Sequence, residues 1–312
     1  MKKVLVTGSN GLLGQKLTER ILAENDFELV ATSKGENRFF SKEGYTYEEM
    51  DILDYDSLDN VIGKFLPHAV INTAAMTNVD TCETDREACW ALNVTAVENL
   101  IKVCKKYNVQ LIHLSTDFIF DGLAGPYLED ALPCPVSYYG ESKLEAENLL
   151  KKSDIRWTIL RTIIVYGIVN DMSRSNIVLW AKGALEKGNT INVVNDQWRM
   201  PTLAEDLVDI CLLAVDKEAQ GIFNASGKDM LSIIEMVEQV ADFYQLDKTL
   251  INPISSSSLN QVAKRPVKTG FILDKSINEL GYNPHSFYEG MKIMQKQVES
   301  LKSKVQSNMS KS

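Results

Sequence analysis

The chain has 312 residues, 45% of them hydrophobic and 24% charged, with a formal net charge of -9 and a pI near 5.0. That is enough apolar chain to bury a full core, in one large domain or two intimately joined ones. The acidic balance excludes polyanion binding as the main task, since phosphate backbones are held by a surplus of Lys and Arg, so no nucleic-acid partner is expected.

In chain order, short apolar runs alternate with helical patterns. Val4-Leu5-Val6 is followed by a helix from Gly11 to Ala23, then by Leu29-Val30-Ala31 and a third strand ending near Asp51-Ile52. A helix near Ser57 to Phe65, the strand Ala69-Val70-Ile71-Asn72, a long helix from about Asp85 to Tyr107 and the strand Leu111-Ile112-His113-Leu114 complete the first part. This β-α-β alternation predicts an α/β fold: a Rossmann-type, doubly wound parallel sheet covered on both faces.

Residues 121 to 135 carry Gly122, Gly125, Pro126, Pro133 and Pro135, which predicts an irregular loop before a helix containing Tyr139. Beyond the strand Trp157-Thr158-Ile159-Leu160 comes less regular chain with Asn195-Asp196-Gln197-Trp198-Arg199-Met200-Pro201-Thr202. A helix from about Ala204 to Val215 and the strand Ile222-Phe223-Asn224-Ala225 follow, then a smaller, mostly helical C-terminal lobe with a loop at Ser255 to Ser258. The expected organisation is a cofactor-binding domain over residues 1–165, completed by segments within 190–225, a substrate lobe over 166–298 and a polar, disordered tail over 299–312.

Cys82, Cys89, Cys104, Cys134 and Cys211 are scattered, odd in number and without a Cys-x-x-Cys pair, as expected of reduced thiols used for packing. The apolar run after Lys2-Lys3 stops at the glycines, too short for a signal segment, and no stretch approaches the ~18 apolar residues of a membrane span. A cytoplasmic protein without membrane contact is expected. His68, His113 and His285 lie far apart with no ligand spacing around them, so no metal site is expected, and His113 reads as a strand residue packed under the sheet.

The opening strand runs into Gly8, Gly11 and Gly14, spaced G-x-x-G-x-x-G. Glycines at the start of a helix after a strand permit the tight turn, the approach of a pyrophosphate and close packing of helix on strand. Gly8, Asn10, Gly11, Leu12, Leu13 and Gly14 are therefore candidate dinucleotide contacts. NAD sites carry an acidic residue about 20 residues further on, but here the strand end reads Val30-Ala31-Thr32-Ser33-Lys34. Without that carboxylate, and with Ser33, Lys34 and Arg38 available to a 2′-phosphate, NADPH is favoured over NADH. Asp51 and Ile52 are placed to line the adenine.

Three Tyr-x-x-x-Lys pairs occur: Tyr139/Lys143, Tyr244/Lys248 and Tyr288/Lys292. Only the first lies on the helix after the strand ending Leu114-Ser115-Thr116, downstream of a complete cofactor half-site. The i,i+4 spacing puts phenol and ammonium on one helix face. At ~4 Å and an effective dielectric of ~20 their attraction is about 4 kcal/mol, enough to draw the phenol pKa down by as much as ~3 units before desolvation is counted. Tyr139 is thus the expected proton donor, Lys143 its partner and ribose holder, and Thr116 a hydroxyl for the substrate oxygen.

Several stretches then resemble the extended short-chain dehydrogenase/reductases, and within them the dTDP-4-dehydrorhamnose reductase family. They are Asn72-Thr73-Ala74-Ala75-Met76-Thr77-Asn78-Val79-Asp80, Leu92-Asn93-Val94-Thr95-Ala96, Ser115-Thr116-Asp117-Phe118-Ile119-Phe120-Asp121-Gly122 and Tyr139-Gly140-Glu141-Ser142-Lys143. Leu160-Arg161-Thr162, Val194-Asn195-Asp196-Gln197, Pro201-Thr202 and Arg265-Pro266 extend the likeness over residues 1 to about 295. It implies a Thr116, Tyr139, Lys143 triad, passage of Ala74, Ala75 and Met76 beside the cofactor, and Asn93 supporting that site. It also implies contact of Thr116 and Asp117 with the sugar, and Arg265 gripping the diphosphate, a role that suits a guanidinium fork.

Two positions depart from the family pattern. Ile164 stands at the sugar-facing position where rhamnose-pathway reductases carry Trp, and Val267-Lys268-Thr269 follows Arg265-Pro266. The resemblance thus implies NADPH-dependent reduction of the 4-keto group of a nucleotide-linked 6-deoxy sugar, with the sugar left open. Epimerases and dehydratases of the same scaffold are an alternative, but dehydratases resemble Thr-Asp-Glu where this chain has Phe118 after Asp117. The chain also resembles the regulatory β subunit of methionine adenosyltransferase, a relative that binds NADP and a partner protein. The helix from Asp85 to Tyr107 offers a surface for a homodimer, as in many members of the superfamily.

Overall fold

The computed structural model describes residues 1–169 and 175–309, with side chains through residue 300. Seven parallel strands form the central sheet: β1 (Lys2–Thr7), β2 (Phe27–Ser33), β3 (Thr46–Glu49), β4 (Ala69–Asn72), β5 (Gln110–Thr116), β6 (Trp157–Thr162) and a late strand, Gly221–Asn224. Their order across the sheet is the late strand, then β6-β5-β4-β1-β2-β3. The chain order reverses between β1 and β4, the switch point at which doubly wound sheets open a ligand crevice.

Both faces are covered, which is why the strands read as continuous apolar runs. On one face Val4, Val6, Ile71, Ile112 and Leu160 meet α1 (Leu12–Glu24) and a helix over Ala204–Asp216. On the other, Leu5, Val70, Leu111 and Ile159 meet α2 (Tyr55–Phe65), α5 (Ala96–Tyr107) and α6 (Tyr138–Lys152). Side-chain caps set the helix starts. Asp54 accepts from the backbone of Asp56 and Ser57 at α2, and Ser137 from that of Gly140 at α6, pairing N–H groups that a helix end leaves open.

The long helix expected from Asp85 to Tyr107 is not one regular helix. A short α3 (Val79–Thr84) precedes α4 (Arg86–Trp90), a π-helical turn over Ala91–Thr95 and then α5. A π turn adds a residue to the helical repeat and re-aims the side chains around it. Hydrophobic spacing does not register such a turn.

The C-terminal lobe is smaller and mostly helical, as expected. It is built of α7 (Ile177–Glu186), α9 (Ile233–Tyr244) and α10 (Phe287–Met309) with three two-stranded sheets, while α8 (the Ala204–Asp216 helix) packs on the central sheet. Val178, Ala181, Met236, Val240, Phe287, Met291 and Met294 form its core. The expected tail from residue 299 continues α10 to Met309, and residues 310–312 lie outside the described residues. Among the described residues no helix is long and apolar enough to cross a membrane, and no group of His, Cys, Asp and Glu is arranged to hold a metal ion. Cys82, Cys89, Cys104 and Cys211 are buried, Cys134 is exposed, and none forms a disulfide.

One buried ion pair ties α6 to the sheet. Arg161 of β6 donates from Nε and Nη2 to the two carboxylate oxygens of Glu147, at 2.9 and 2.8 Å, and from Nη1 to the Glu129 carbonyl at 2.9 Å. Both side chains are almost wholly buried. Burial pushes the Glu147 carboxyl up, but the Arg161 bonds outweigh it and hold the carboxyl below its ordinary range. A bidentate pair of this kind is costly to break from one side, because the remaining charge keeps its desolvation penalty. Glu147→Leu is expected to destabilise the fold by about 3–5 kcal/mol, read as a lower urea midpoint with an unchanged slope.

Candidate active site

The carboxyl ends of β1, β4 and β5 open into a cavity of about 770 Å³. Its lining includes Gly11, Leu12, Leu13, Thr73 and Ala75 on one side, and Thr116, Asp117, Tyr139 and Lys143 at its centre. Ile164, Asn176, Gln197, Arg199, Ile233, Gln261 and Arg265 belong to the side nearer the C-terminal lobe. All three residues of the expected triad and all four expected substrate contacts therefore border one space.

The glycine turn is built for close approach. A Cβ on Gly14 would lie 2.5 Å from the Gly8 carbonyl oxygen and 2.5 Å from the Ser9 Cα, so only glycine lets α1 sit this near the strand end. The N-cap, Gly11, has no side-chain cap and the first turn has no acidic residue. The leading N–H groups and the positive end of the helix dipole are thus left for an anion. These features fit a dinucleotide diphosphate, which the N–H groups of Leu12 and Leu13 would hold, that of Gly11 being given to the Gly8 carbonyl at 2.9 Å.

The other expected cofactor residues divide. The side chain of Asn10 is engaged with the next loop, accepting from the Arg38 backbone at 2.8 Å and donating to the Glu36 carbonyl at 2.8 Å. Lys34 forms an exposed ion pair with Asp51 at 2.8 Å, at the sheet end that bears Ser33, while Ile52 is buried in the core. Ala75 lines the cavity, Ala74 packs against Gly8, and Met76 turns toward Cys82, Cys89 and Tyr139. Asn93, carried on the π turn, accepts from the Met76 backbone at 2.9 Å and donates to the Met76 carbonyl and to Ser142 Oγ, both at 3.0 Å. It braces the strand-end loop against α6.

Gly140 places Tyr139. A Cβ there would come within 2.2 Å of the Phe118 carbonyl oxygen, so the first turn of α6 lies flush on the segment after Thr116. The phenol and the Thr116 hydroxyl face each other across this contact. The expected lowering of the phenol pKa by Lys143 is not found. Burial pushes Tyr139 well above its ordinary value, with Thr116 opposing only in part. Lys143 is itself buried, which brings its pKa down to about 8, and its Nζ lies 3.1 Å from His113 Nε2. Desolvation thus outweighs the i,i+4 attraction, holding the phenol protonated.

The substrate contacts have partners of their own. Asp117 is buried and bonds the Thr116 hydroxyl at 3.1 Å and the Thr269 hydroxyl, with Arg199 Nε 3.5 Å from its Oδ2. Arg265 makes a fork with Asp80, at 2.7 and 3.2 Å. Ile164 has φ of +33°, a strained position for a β-branched residue, and it faces the cavity. Sequence reasoning missed Arg199, Asn176, Ile233 and Gln261. Arg199 lies in the less regular chain between the Val194–Gln197 and Pro201-Thr202 segments, and its buried contacts with Asp117 and with the Pro266 carbonyl at 2.6 Å are tertiary.

A buried ammonium is a cost to the fold at neutral pH. Lys143 has a native pKa of about 8 against 10.5 in the unfolded chain, so the unfolded state binds more protons between these values and stability rises with pH across that window. The shift corresponds to a cost of about 3 kcal/mol below pH 8. Lys143→Met is expected to be the more stable protein at pH 7, and to lose the wild-type gain in melting temperature between pH 8 and 10.5.

Comparison with known proteins shows the family and the fold. The family model described as the RmlD substrate binding domain matches residues 1–300. A Haloferax volcanii protein named as a probable low-salt glycan biosynthesis reductase, Agl14, is 31% identical over 88% of this chain and 91% of its own. The methionine adenosyltransferase 2 subunit beta of Xenopus laevis is 29% identical over 81% of this chain and 75% of its own. Among solved structures, a dTDP-4-dehydrorhamnose reductase from Clostridium acetobutylicum superposes with a TM-score of 0.83 at 26% identity, covering 95% of this chain and 99% of that one. The chain belongs to the RmlD substrate-binding-domain family, on an extended short-chain dehydrogenase/reductase fold.

Proposed function

We propose that this protein reduces the 4-keto group of a nucleotide-linked 6-deoxy sugar with NADPH, NADH being the alternative donor. The observation that carries the reading is the convergence of Thr116, Tyr139 and Lys143 on one cavity whose far side is the uncapped start of α1. A nicotinamide cofactor bound at that helix start would supply the hydride for the carbonyl carbon. Thr116 orients the carbonyl oxygen and Tyr139 gives it a proton, which the raised phenol pKa makes available across the neutral range. Lys143 then stabilises the phenolate left behind. Phe118, an apolar side chain in the cavity where a dehydratase would need a second acid, supports reduction over elimination.

Preference for NADPH rests on Ser33, Lys34 and Arg38. The Lys34–Asp51 pair is exposed, and exposed pairs are worth little, so a 2′-phosphate can displace the carboxylate. Arg199 and Arg265 bring positive charge to the substrate side, in keeping with a diphosphate, once Arg265 exchanges Asp80 for phosphate oxygens.

A second reading is a cofactor-binding regulatory subunit. The relative named as a methionine adenosyltransferase subunit favours it. A catalytic role requires turnover, which decides between the two. With NADPH and a panel of nucleotide 4-keto sugars, the wild type is expected to consume NADPH. Tyr139→Phe should lose at least ~100-fold in kcat with an unchanged NADPH Kd, and equal rates for the two proteins would exclude the assigned role. Lys34→Ala is expected to raise the KM for NADPH by about tenfold, the worth of one ionic contact of ~1.4 kcal/mol, while the KM for NADH stays put.

A further inference from the structure

The sheet face that carries α6 holds a polar row where its pattern calls for apolar side chains. Leu5, Val70 and Leu111 are cross-strand neighbours in register on that face. One pleat nearer the carboxyl end, the same register aligns Thr7, Asn72 and His113. All three are at most 2% exposed. They are bonded in sequence: Thr7 Oγ1 to Asn72 Oδ1 at 2.6 Å, Asn72 Nδ2 to His113 Nδ1 at 3.2 Å, and His113 Nε2 to Lys143 Nζ at 3.1 Å. A buried polar row has no stabilising advantage over the leucine-like row beside it unless its groups are paired, and this one is paired end to end, with the lysine of the cavity as its terminus.

We propose that His113 is a positioning residue that accepts a hydrogen bond from the Lys143 ammonium and so fixes both the place and the charge of that lysine. This rests on the reductase reading only for its effect on turnover. An ammonium has donors alone, so Nε2 must present its lone pair, and the neutral ring then carries its hydrogen on Nδ1. Burial holds His113 neutral, well below its usual range, with Lys143 adding to the effect. Nδ1–H needs an acceptor, which Asn72 provides when its amide turns to face Oδ1 toward the ring and Nδ2 toward Thr7. The opposite amide setting, with Nε2–H directed at Nζ, suits the neutral amine. One amide turn and one tautomer change thus let the row follow the lysine through both of its protonation states.

The other titratable groups near Lys143 do not replace this bond. Tyr139 and Glu147 lie one turn away on either side on α6, and Glu147 is committed to Arg161 of β6 and to Lys151. Cys89 on α4 faces the lysine, and its thiol is drawn down to about 7 by bonds from Cys82, Ser142 and Asn93 and by the lysine itself. Asp117 lies beyond Tyr139 and is held by Thr269 and Arg199.

The test is an NMR titration of the full chain labelled at lysine side chains, with the Lys143 signal assigned by its loss in Lys143→Met. His113→Leu is expected to lower the Lys143 pKa by about one to two units, the worth of a hydrogen bond to a charged group. His113→Gln, which keeps an amide oxygen as acceptor, is expected to restore most of it. If His113→Leu does not fold, Asn72→Ala, which cuts the row one step back, is read in the same way with a smaller shift. An unmoved Lys143 signal, or a Gln variant that behaves as Leu does, overturns the proposal. In turnover, His113→Leu should lose about tenfold in kcat above pH 8 and under about threefold at pH 6.5. A moved lysine signal without any sugar reduction defeats the reductase reading and leaves the row standing. Reduction with an unmoved signal does the reverse.

Discussion

The site depends on how α6 is seated. Its first turn can lie against the Thr116–Phe118 segment only because residue 140 has no Cβ, and its third turn is held down by the buried fork of Arg161 on Glu147. Between these two anchors the helix has no freedom to roll, so Tyr139 meets Thr116 and Lys143 meets the sheet. The anchoring pair stabilises little on balance, because burying two charges costs about what their attraction returns. Its effect is on register, which fixes where Tyr139 and Lys143 stand in the cavity.

Desolvation governs the electrostatics of the same helix. The simple expectation from spacing, a lysine pulling a phenol toward ionisation, treats both groups as wet. In the folded chain Tyr139 and Lys143 are both buried, so each is driven toward its neutral form: the phenol upward, the amine down to about 8. A protonated phenol beside a lysine close to its own titration is arranged to give a proton to an oxyanion.

Much of this was legible in the chain. The alternation of apolar runs and helical patterns gave the parallel sheet, since strands covered on both faces carry continuous Val, Ile and Leu. Gly8, Gly11 and Gly14 marked the turn, where Gly8 takes a left-handed φ and Gly14 leaves no room for a Cβ. The Tyr139/Lys143 pair was chosen from three by its place after Thr116. What stayed hidden is tertiary. Helix periodicity does not show that a π turn aims Asn93 at Met76 and Ser142, and no local pattern pairs Arg199 with Asp117 or Arg265 with Asp80. His113 read as packing because its partners, Asn72 and Lys143, are distant in sequence and adjacent only through strand register.

Family membership and site geometry agree on a reductase-like scaffold, and the proposed reaction is hydride transfer from the cofactor to C4 of the sugar. It is tested most directly by incubating the protein with NADPH deuterated at the transferable position and a dTDP-linked 4-keto-6-deoxy sugar. The sugar product is then examined by mass spectrometry and proton NMR. Hydride transfer to C4 leaves one deuterium, located at C4, for each NADPH consumed. NADPH bound stoichiometrically with no deuterium reaching any nucleotide 4-keto sugar would contradict it.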